Sequence, residues 1–390
     1  MQEDFHYYAT YCAAFLAGFD HKQSMEICYS AQLVDLCSRT FLKRIKAPLS
    51  AATTQLQLEM MDARTDPVGL QDITRIWSSF HFLPYNLNAK VKKGTSRLYR
   101  SKYRLICDTN GELLSDTIDL AFGKGLPAAG IAMHILADTW AHRYFAGTPS
   151  LVINNTNYYF YELIKKNNGD YDEIPISFRH SPSQPDDLDE HKYTNSLYQS
   201  NERSIMNLGH GRAGHLPDYS FIRYKYLPAW GNYEEIVKDN PHDYYHAFCQ
   251  MIYALKYLRE EIPEFKLDTY AWDAAAPYKS EILEIIEKRQ LNASMDWKAF
   301  GEKLSGETIE PFKLSKYEED YIRTEKNNKS ETYLGKFFLA AMAQKSMVTN
   351  KIFKSRNLLA GYSIDFDQKG FKGIKDYKML VDHLRKEWGE

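Results

Sequence analysis

The sequence carries two histidines and an aspartate at four-residue intervals, within the segment MHILADTWAHRYFAG. His134, Asp138 and His142 stand at positions i, i+4 and i+8. On an α-helix each four-residue step advances only about 40° around the axis, so the three side chains would share one face. Two imidazoles and a carboxylate on one face make most of a transition-metal site. We therefore predict a metal-binding helix, the alternative being a hydrogen-bonded His-Asp-His ladder without metal.

Other histidines and acids in apolar surroundings could complete such a site. Asp35 directly follows Leu33 and Val34 in a predicted helix, and a buried carboxylate there needs a partner. A glycine-rich segment later in the chain, NLGHGRAGHLPDYS, adds two histidines and an aspartate. The full set of candidate metal ligands is Asp4, His6, Asp35, His81, His134, Asp138, His142, His210, His215 and Asp218.

Composition excludes several classes of protein. The chain has 390 residues, of which 44% are hydrophobic, with a net charge of -2 and a pI near 6.6. A net charge this close to zero gives no overall attraction to nucleic acid or acidic membranes, which argues against a protein that binds them over its whole surface. Five scattered cysteines without C-x-x-C spacing indicate free thiols in a reducing compartment. The N-terminus lacks the basic residues of a signal peptide, and no run of about 18 apolar residues predicts a membrane span. These features predict a cytoplasmic protein.

Helical patterns dominate the chain, and we predict an all-α, multi-helix bundle. Asp20 with Gln23 fits a capping box at the start of a helix that runs to about Thr40. Pro127 suits the first turn of the helix that carries the metal ligands, and Gly147 suits its end.

The remaining segments define the predicted organisation and the candidate surfaces for partners. Residues 1–262 form a metal-binding helical domain, interrupted at 148–204 by a long polar loop excursion. Residues 263–390 form a C-terminal helical extension that could bind a protein partner.

Basic residues with interleaved tyrosines, from Lys90 to Arg104, could contact the phosphates of a nucleic acid. Charge runs of this kind are more often simply solvated.

Five segments, taken in order, resemble a bacterial family known only as a domain of unknown function. They are DFHYYATYCAAFLAGF, AQLVDLC, WSSFHFLPYN, HILADTWAHRYFAG and LGHGRAGHLPDYSFIRYKY. The resemblance covers about the first 260 residues well and the C-terminal third weakly. The order of histidines and aspartates is also distantly similar to the all-helical superfamily of zinc-dependent phospholipases C and single-strand nucleases, whose members hold three zinc ions and cleave phosphoesters.

This second resemblance implies a distribution of the ligands over the metals. Asp35, His81, His134 and Asp138 would hold one metal, and His6 with Asp138 a second. His142, His210 and either His215 or Asp218 would hold a third. In that superfamily the free N-terminal amine is itself a ligand, and here Asp4 could take its place. The proline-containing interval before the second helical histidine is missing in this chain, so two metals remain an alternative to three.

The residues and the resemblance together predict a metal-dependent hydrolase of phosphoesters. Bound metal would activate a water molecule, with Asp4 or Asp138 as its base, and Arg143 and Arg212 would anchor the phosphate. The expected substrate is a small-molecule or lipid phosphoester, and the expected metal is zinc, with manganese or iron as alternatives. Two rival hypotheses are a metal-stabilised scaffold or interaction protein without activity and a redox-active iron site.

Overall fold

The computed structural model describes residues 1–63, 67–150, 153–156, 159–166, 168–179, 184–195 and 208–361. A π-helical segment, Asp4–Ala9, precedes the first α-helix. The α-helices of the described part are α1 Thr10–Leu16, α2 His21–Leu36, α3 Arg39–Arg44, α4 Gln57–Ala63, α5 Pro67–Phe80, α6 Arg97–Tyr103, α7 Glu112–Ala121, α8 Leu126–Ala141, α9 Asn240–Leu258, α10 Trp272–Ala275, α11 Lys279–Glu287, α12 Ser294–Ser305, α13 Glu318–Arg323 and α14 Tyr333–Lys354.

The start of α2 confirms the predicted capping box. The Asp20 carboxylate accepts a hydrogen bond from the Gln23 backbone N–H at 2.8 Å, and the Gln23 side chain accepts one from the Asp20 N–H at 3.1 Å. The helix ends at Leu36, earlier than the predicted Thr40. It ends there because Cys37 leaves the helical conformation and Ser38 caps the next helix.

Helix α8 lies at the centre of the molecule, and every residue from Pro127 to Ala141 is buried. Pro127 lies in its first turn, as predicted. The prediction that the helix continues to Gly147 is wrong, because the helix ends at Ala141 and His142 is its C-cap. The backbone N–H of His142 still bonds to the Asp138 carbonyl at 2.9 Å, so His142 stays one turn beyond Asp138.

A glycine allows α8 to approach α2 closely. A Cβ atom at Gly130 would lie 2.3 Å from the Ile27 carbonyl oxygen and 2.5 Å from the Ser30 side chain. No side chain fits at such distances, so the backbones of the two helices meet at this point. This contact brings the end of α2, with Asp35, towards the ligands on α8.

The all-α prediction needs correction, because the structure contains two β-sheets. The larger sheet is antiparallel, in the order β2-β1-β5-β6. A separate pair, β3 and β4, is parallel. Four of the six strands lie in the segment predicted as a polar loop, 148–204. The strands are β1 Tyr161–Lys165, β2 Tyr171–Pro175, β3 Ser177–Arg179, β4 Lys192–Thr194, β5 Arg223–Tyr226 and β6 Ile236–Asp239.

Aromatic residues explain why a polar segment forms strands here. Phe160, Tyr193, Tyr224 and Tyr226 are at most 2% exposed and form a second core beside the helical one. The rings of Phe160 and Tyr226 stack with centroids 5.4 Å apart. Few residues of the strands in this segment enter that core, since β2 is largely exposed and β4 buries only Tyr193, so the composition of the segment stays polar.

The helices after residue 263 pack onto the main core. Helix α12 contacts the π-helical segment, and α14 packs against α5 and α8. Trp297 of α12 and Phe337 of α14 belong to the same buried cluster as the apolar residues of α8. The part of the predicted extension from 362 to 390 lies outside the described residues.

Candidate metal centre

Three groups of histidine and aspartate side chains converge around the C-terminal half of α8. Within each group the potential ligand atoms lie within 4.8 Å of one another. His134 and Asp138 come from α8, His6 from the π-helical segment and Asp35 from the end of α2. His81 follows α5, and the third group lies where α8 meets the glycine-rich segment. The groups are Asp35, His81 and His134; His6, His134 and Asp138; and His142, His210 and Asp218.

In the first group, two imidazoles turn a nitrogen towards each other. Nδ1 of His81 lies 3.2 Å from Nε2 of His134. Oδ2 of Asp138 lies 3.3 Å from the former and 3.2 Å from the latter. Oδ1 of Asp35 lies 3.7 Å from Nδ1 of His81 and 3.9 Å from Nε2 of His134. Two nitrogens and two carboxylate oxygens therefore surround one point.

The opposite nitrogen of each ring is held by a backbone carbonyl. Nε2 of His81 donates to the Thr53 carbonyl at 3.0 Å, and Nδ1 of His134 donates to the Ala31 carbonyl at 2.9 Å. Because a carbonyl oxygen only accepts hydrogen bonds, each of these nitrogens carries the proton of the neutral ring. The nitrogens that face the group then present lone pairs, which is how metal-binding histidines are usually fixed.

The second group contains a histidine without a hydrogen bond. His6 is fully buried, its ring stacks on His134 at 3.8 Å, and neither ring nitrogen has a hydrogen-bond partner. Its Nε2 lies 3.1 Å from Oδ1 of Asp138, in a direction that does not satisfy a hydrogen bond. Buried polar atoms almost always have a partner, so this nitrogen fits a ligand of an ion shared with Asp138.

The third group extends from the C-cap of α8 to the glycine-rich segment. Nε2 of His142 lies 3.2 Å from Oδ1 of Asp218, and Nε2 of His210 lies 3.6 Å from Oδ2. The ring orientations are again set by carbonyls, since Nδ1 of His142 donates to the carbonyl of His81 and Nδ1 of His210 to that of Gly214. The third group is therefore linked to the first through the backbone carbonyl of His81.

The amino group of Met1 lies between the second and third groups. It is buried, 2.9 Å from Asp138 Oδ1, 3.1 Å from Asp218 Oδ1 and 3.3 Å from His142 Nε2. Burial disfavours its charged form, but the two carboxylates outweigh burial and raise its pKa to about 11. The amino group itself, for which Asp4 was the expected substitute, therefore lies in the centre.

The electrostatics of the centre favour cations. Burial lowers the pKa of His6, His134 and His210 to about 4, so these rings are neutral near pH 7 and available as ligands. Burial alone would raise the pKa of Asp138, but nearby His142 and the amino group hold it well below its usual range. Within the described residues, the acidic groups of Asp35, Asp138 and Asp218 surround one ammonium group, although burial raises the pKa of Asp35.

Two ligands connect the centre to solvent. The side chains of Asp35 and His210 are 30% and 18% exposed, whereas those of His6, His81, His134 and Asp138 are at most 4% exposed. Aromatic rings cover the imidazoles elsewhere, with Trp77 4.9 Å from His81 and Phe82 4.7 Å from His142. Asp35 and His210 therefore mark the parts of the centre that are most open to solvent.

Two of the predicted ligands lie outside the three groups. Oδ1 of Asp4 accepts a hydrogen bond from the Phe5 N–H at 2.8 Å, and Oδ2 accepts one from the Ala293 N–H at 3.1 Å. Asp4 thereby ties the N-terminal segment to the start of α12. His215 is half exposed, and its Nδ1 lies 3.3 Å from a carboxylate oxygen of Asp186. Of the two alternatives for the third metal, Asp218 is the one that lies with His142 and His210.

The two predicted arginines differ in their contacts. Nε of Arg143 donates to Asp108 at 2.8 Å, and Nη1 donates to Asp243 at 3.2 Å. Arg143 is therefore engaged in a structural network. The guanidinium of Arg212 forms no ion pair within the described residues, and its buried Nε has no hydrogen-bond partner. Of these two arginines, Arg212 is the one with an unpartnered donor among the described residues.

Sequence reasoning missed a residue that holds the third group in place. Asn240, at the start of α9, is fully buried, and its Nδ2 donates to the carbonyls of Leu216 and Tyr219 at 2.8 Å each. These bonds fix the turn that presents Asp218. An isolated asparagine at a helix start resembles any N-terminal residue of a helix, so no pattern in the sequence reveals this role.

Replacing Asn240 with leucine is expected to weaken metal binding at the third group by about 10- to 100-fold, the range seen for outer residues that orient ligands. The carbonyls of Leu216 and Tyr219 lose their donor, so Asp218 is no longer held. Calorimetric titration of the metal-free variant measures the effect.

The matched control is Tyr244→Phe, which removes a single bond, from the Tyr244 hydroxyl to the Pro217 carbonyl. We expect this variant to bind metal within about fivefold of the original chain, since one neutral hydrogen bond contributes about 1 kcal/mol. Equal affinities of Asn240→Leu and the original chain at all sites would show that Asn240 does not position Asp218.

The basic strip from Lys90 to Arg104 includes α6, and its tyrosines pack inward. The Tyr99 hydroxyl donates to the Trp230 carbonyl at 3.2 Å, and the Tyr103 ring contacts that of Trp230 at 6.1 Å. These rings serve packing, whereas the exposed basic residues of the strip are Lys90, Lys92, Lys93, Arg97 and Arg100. Among the helices of the described ranges, none combines the length and the hydropathy that crossing a bilayer would require.

Comparison with known proteins identifies the family. The family of unknown function DUF6765 matches residues 1–352, and the chain belongs to this family. No curated protein and no solved structure matches the chain.

Proposed function

We propose that this chain is a metal-dependent hydrolase that cleaves phosphoester bonds with two or three ions, preferably zinc, in the His/Asp centre. The observation that supports it best is the pair His81 and His134, whose unprotonated nitrogens face each other at 3.2 Å while carbonyls hold the opposite nitrogens. Two lone pairs at this distance repel, and a cation between them removes the repulsion.

The donor set fits zinc, although it does not exclude manganese or iron. Every group combines imidazole nitrogens with carboxylate oxygens and contains no thiolate. All five cysteines are buried away from the groups. The second and third groups each offer three nitrogen and oxygen ligands, which leaves a coordination position for water, as is typical of catalytic zinc sites.

In this proposal bound metal supplies a water of lowered pKa and positive charge for the phosphoryl oxygens. Asp138 lies beside the ligands of both the first and the second group and fixes their positions relative to each other. Asp35 lies at the exposed edge, where a water or a substrate oxygen meets the centre. Arg212 binds the phosphate, since its guanidinium has no acidic partner in the described part of the chain.

The test combines metal analysis with a panel of substrates. We expect two or three zinc ions for each chain and turnover of a phosphodiester such as bis(p-nitrophenyl) phosphate, lost after chelation and recovered with zinc. The variant Arg212→Met should keep its metal and raise KM at least about tenfold, because it removes a charged contact to phosphate. Full metal content without turnover of phosphodiesters, phosphomonoesters or phospholipids would reject the hydrolase proposal.

A metal-stabilised scaffold is the second candidate, and the burial of the ligands favours it. His6, His81 and His134 are at most 4% exposed, which leaves little room for a substrate to contact an ion held by them. A scaffold predicts that chelation lowers the melting temperature while no substrate is turned over. A redox-active iron centre instead predicts iron in the purified protein and a visible or paramagnetic signal.

A further inference from the structure

A second recess lies between α7, α8 and α14, and none of its lining residues belongs to the metal centre. Small side chains leave this groove open, with a volume of about 350 Å³. That volume falls within the range of ligand pockets, roughly 300–1,000 Å³. The small residues are Ala121, Ala128, Ala132, Ala340 and Ala343.

The groove offers a ligand mainly hydrocarbon. Ile131 and the half-exposed Leu339 line its walls between the alanines. Its buried polar residues bond to each other and to the backbone, since Nε2 of Gln344 donates to the Thr117 hydroxyl at 2.9 Å and to the Ser79 carbonyl at 3.2 Å. With these groups already paired, an apolar chain loses little by replacing water here.

Two lysines add positive charge to the edge of the groove. Lys124, after α7, and Lys336, on α14, both line it and are exposed. Neither forms an ion pair with an acid of the described residues. Burial raises the pKa of the nearby Glu26, and the charge of Lys336 opposes that rise only weakly. An apolar groove with unpaired ammonium groups at its edge complements a molecule with a hydrocarbon chain and an anionic head.

We propose that this groove binds a single-chain anionic amphiphile, of which a long-chain fatty acid is the simplest. The chain lies among the alanines, Ile131 and Leu339, and the carboxylate lies near Lys124 and Lys336. The proposal is independent of the hydrolase activity, because the groove and the metal centre share no residue.

The test uses the full chain with its metals and measures displacement of a fluorescent fatty acid by oleate below its micelle concentration. Ala343 is exposed, so Ala343→Phe can fill the groove without overpacking the core. We expect this variant to bind oleate at least tenfold more weakly with an unchanged melting temperature. The double variant Lys124→Glu/Lys336→Glu should bind at least fivefold more weakly, and oleyl alcohol should bind more weakly than oleate to the original chain.

The matched control for charge is Lys326→Glu/Lys354→Glu, which makes the same change in net charge at two exposed lysines outside the groove. It should bind oleate like the original chain. Equal binding of oleate by Ala343→Phe and the original chain, or no binding at all, would overturn the proposal. So would binding that disappears when the metal is chelated, since that result assigns the carboxylate to the metal centre.

Discussion

Replacing Asp138 with asparagine is expected to leave at most one metal ion on each chain. Asp138 provides ligand atoms to the second group and lies 3.2 to 3.3 Å from two nitrogens of the first. The third group does not use it and should keep its ion. Asparagine offers one neutral amide oxygen in place of a charged carboxylate. The first and second groups therefore lose their strongest electrostatic attraction for a cation. Elemental analysis of the purified variant measures the change.

The matched control is a buried carboxylate remote from the centre. Glu162 is 2% exposed and bonds to His191 at 2.6 Å, to the Tyr193 hydroxyl at 3.0 Å and to Arg289. Glu162→Gln should lower the free energy of unfolding by about 1–3 kcal/mol through its weakened hydrogen bonds, with metal content unchanged. If Asp138→Asn also keeps its full metal content, the assignment of the centre is wrong.

Chelation of the metal is expected to lower the melting temperature by at least about 10 °C. When the free metal concentration is about 1,000 times the dissociation constant of a site, binding at that site stabilises the folded chain by about 4 kcal/mol. Two or three such sites stabilise the same core. Without metal, the orphaned nitrogens of His6 and the facing nitrogens of His81 and His134 lack a compensating charge. Differential scanning calorimetry with and without a chelator measures the effect.

Addition of zinc to the chelated protein should restore the original melting temperature, and magnesium should not, because magnesium prefers oxygen ligands to imidazoles. The same experiment in the Asp138→Asn background should show a shift of less than half the size, since only the third group remains. A melting temperature that does not respond to chelation would favour a hydrogen-bonded ladder of histidines and aspartates without metal.

The fold was predictable where local chemistry decides it. The capping box of Asp20 and Gln23 and the placement of Pro127 depend on contacts within one helical turn, and both are present. The end of α8 was not predictable from Gly147, because the chain leaves the helix after His142 to bond with Cys107: the Tyr144 N–H donates to the Cys107 carbonyl at 2.8 Å. The sheet was missed because its core is assembled from aromatic residues far apart in the sequence.

The amino-acid sequence by itself determined that His134 and Asp138 share a helix face, because the helical repeat sets that spacing. It also singled out His6, Asp35, His81, His210 and Asp218 as candidate metal ligands. Only the tertiary structure decided which of them meet, since those distances depend on helix packing at Gly130 and on the turn held by Asn240. The tertiary structure also placed Asp4, His215 and Arg143 outside the three groups. Asp4 bonds to the Ala293 N–H, His215 lies against Asp186 and Arg143 donates to Asp108, and no pattern in the sequence marks these pairs.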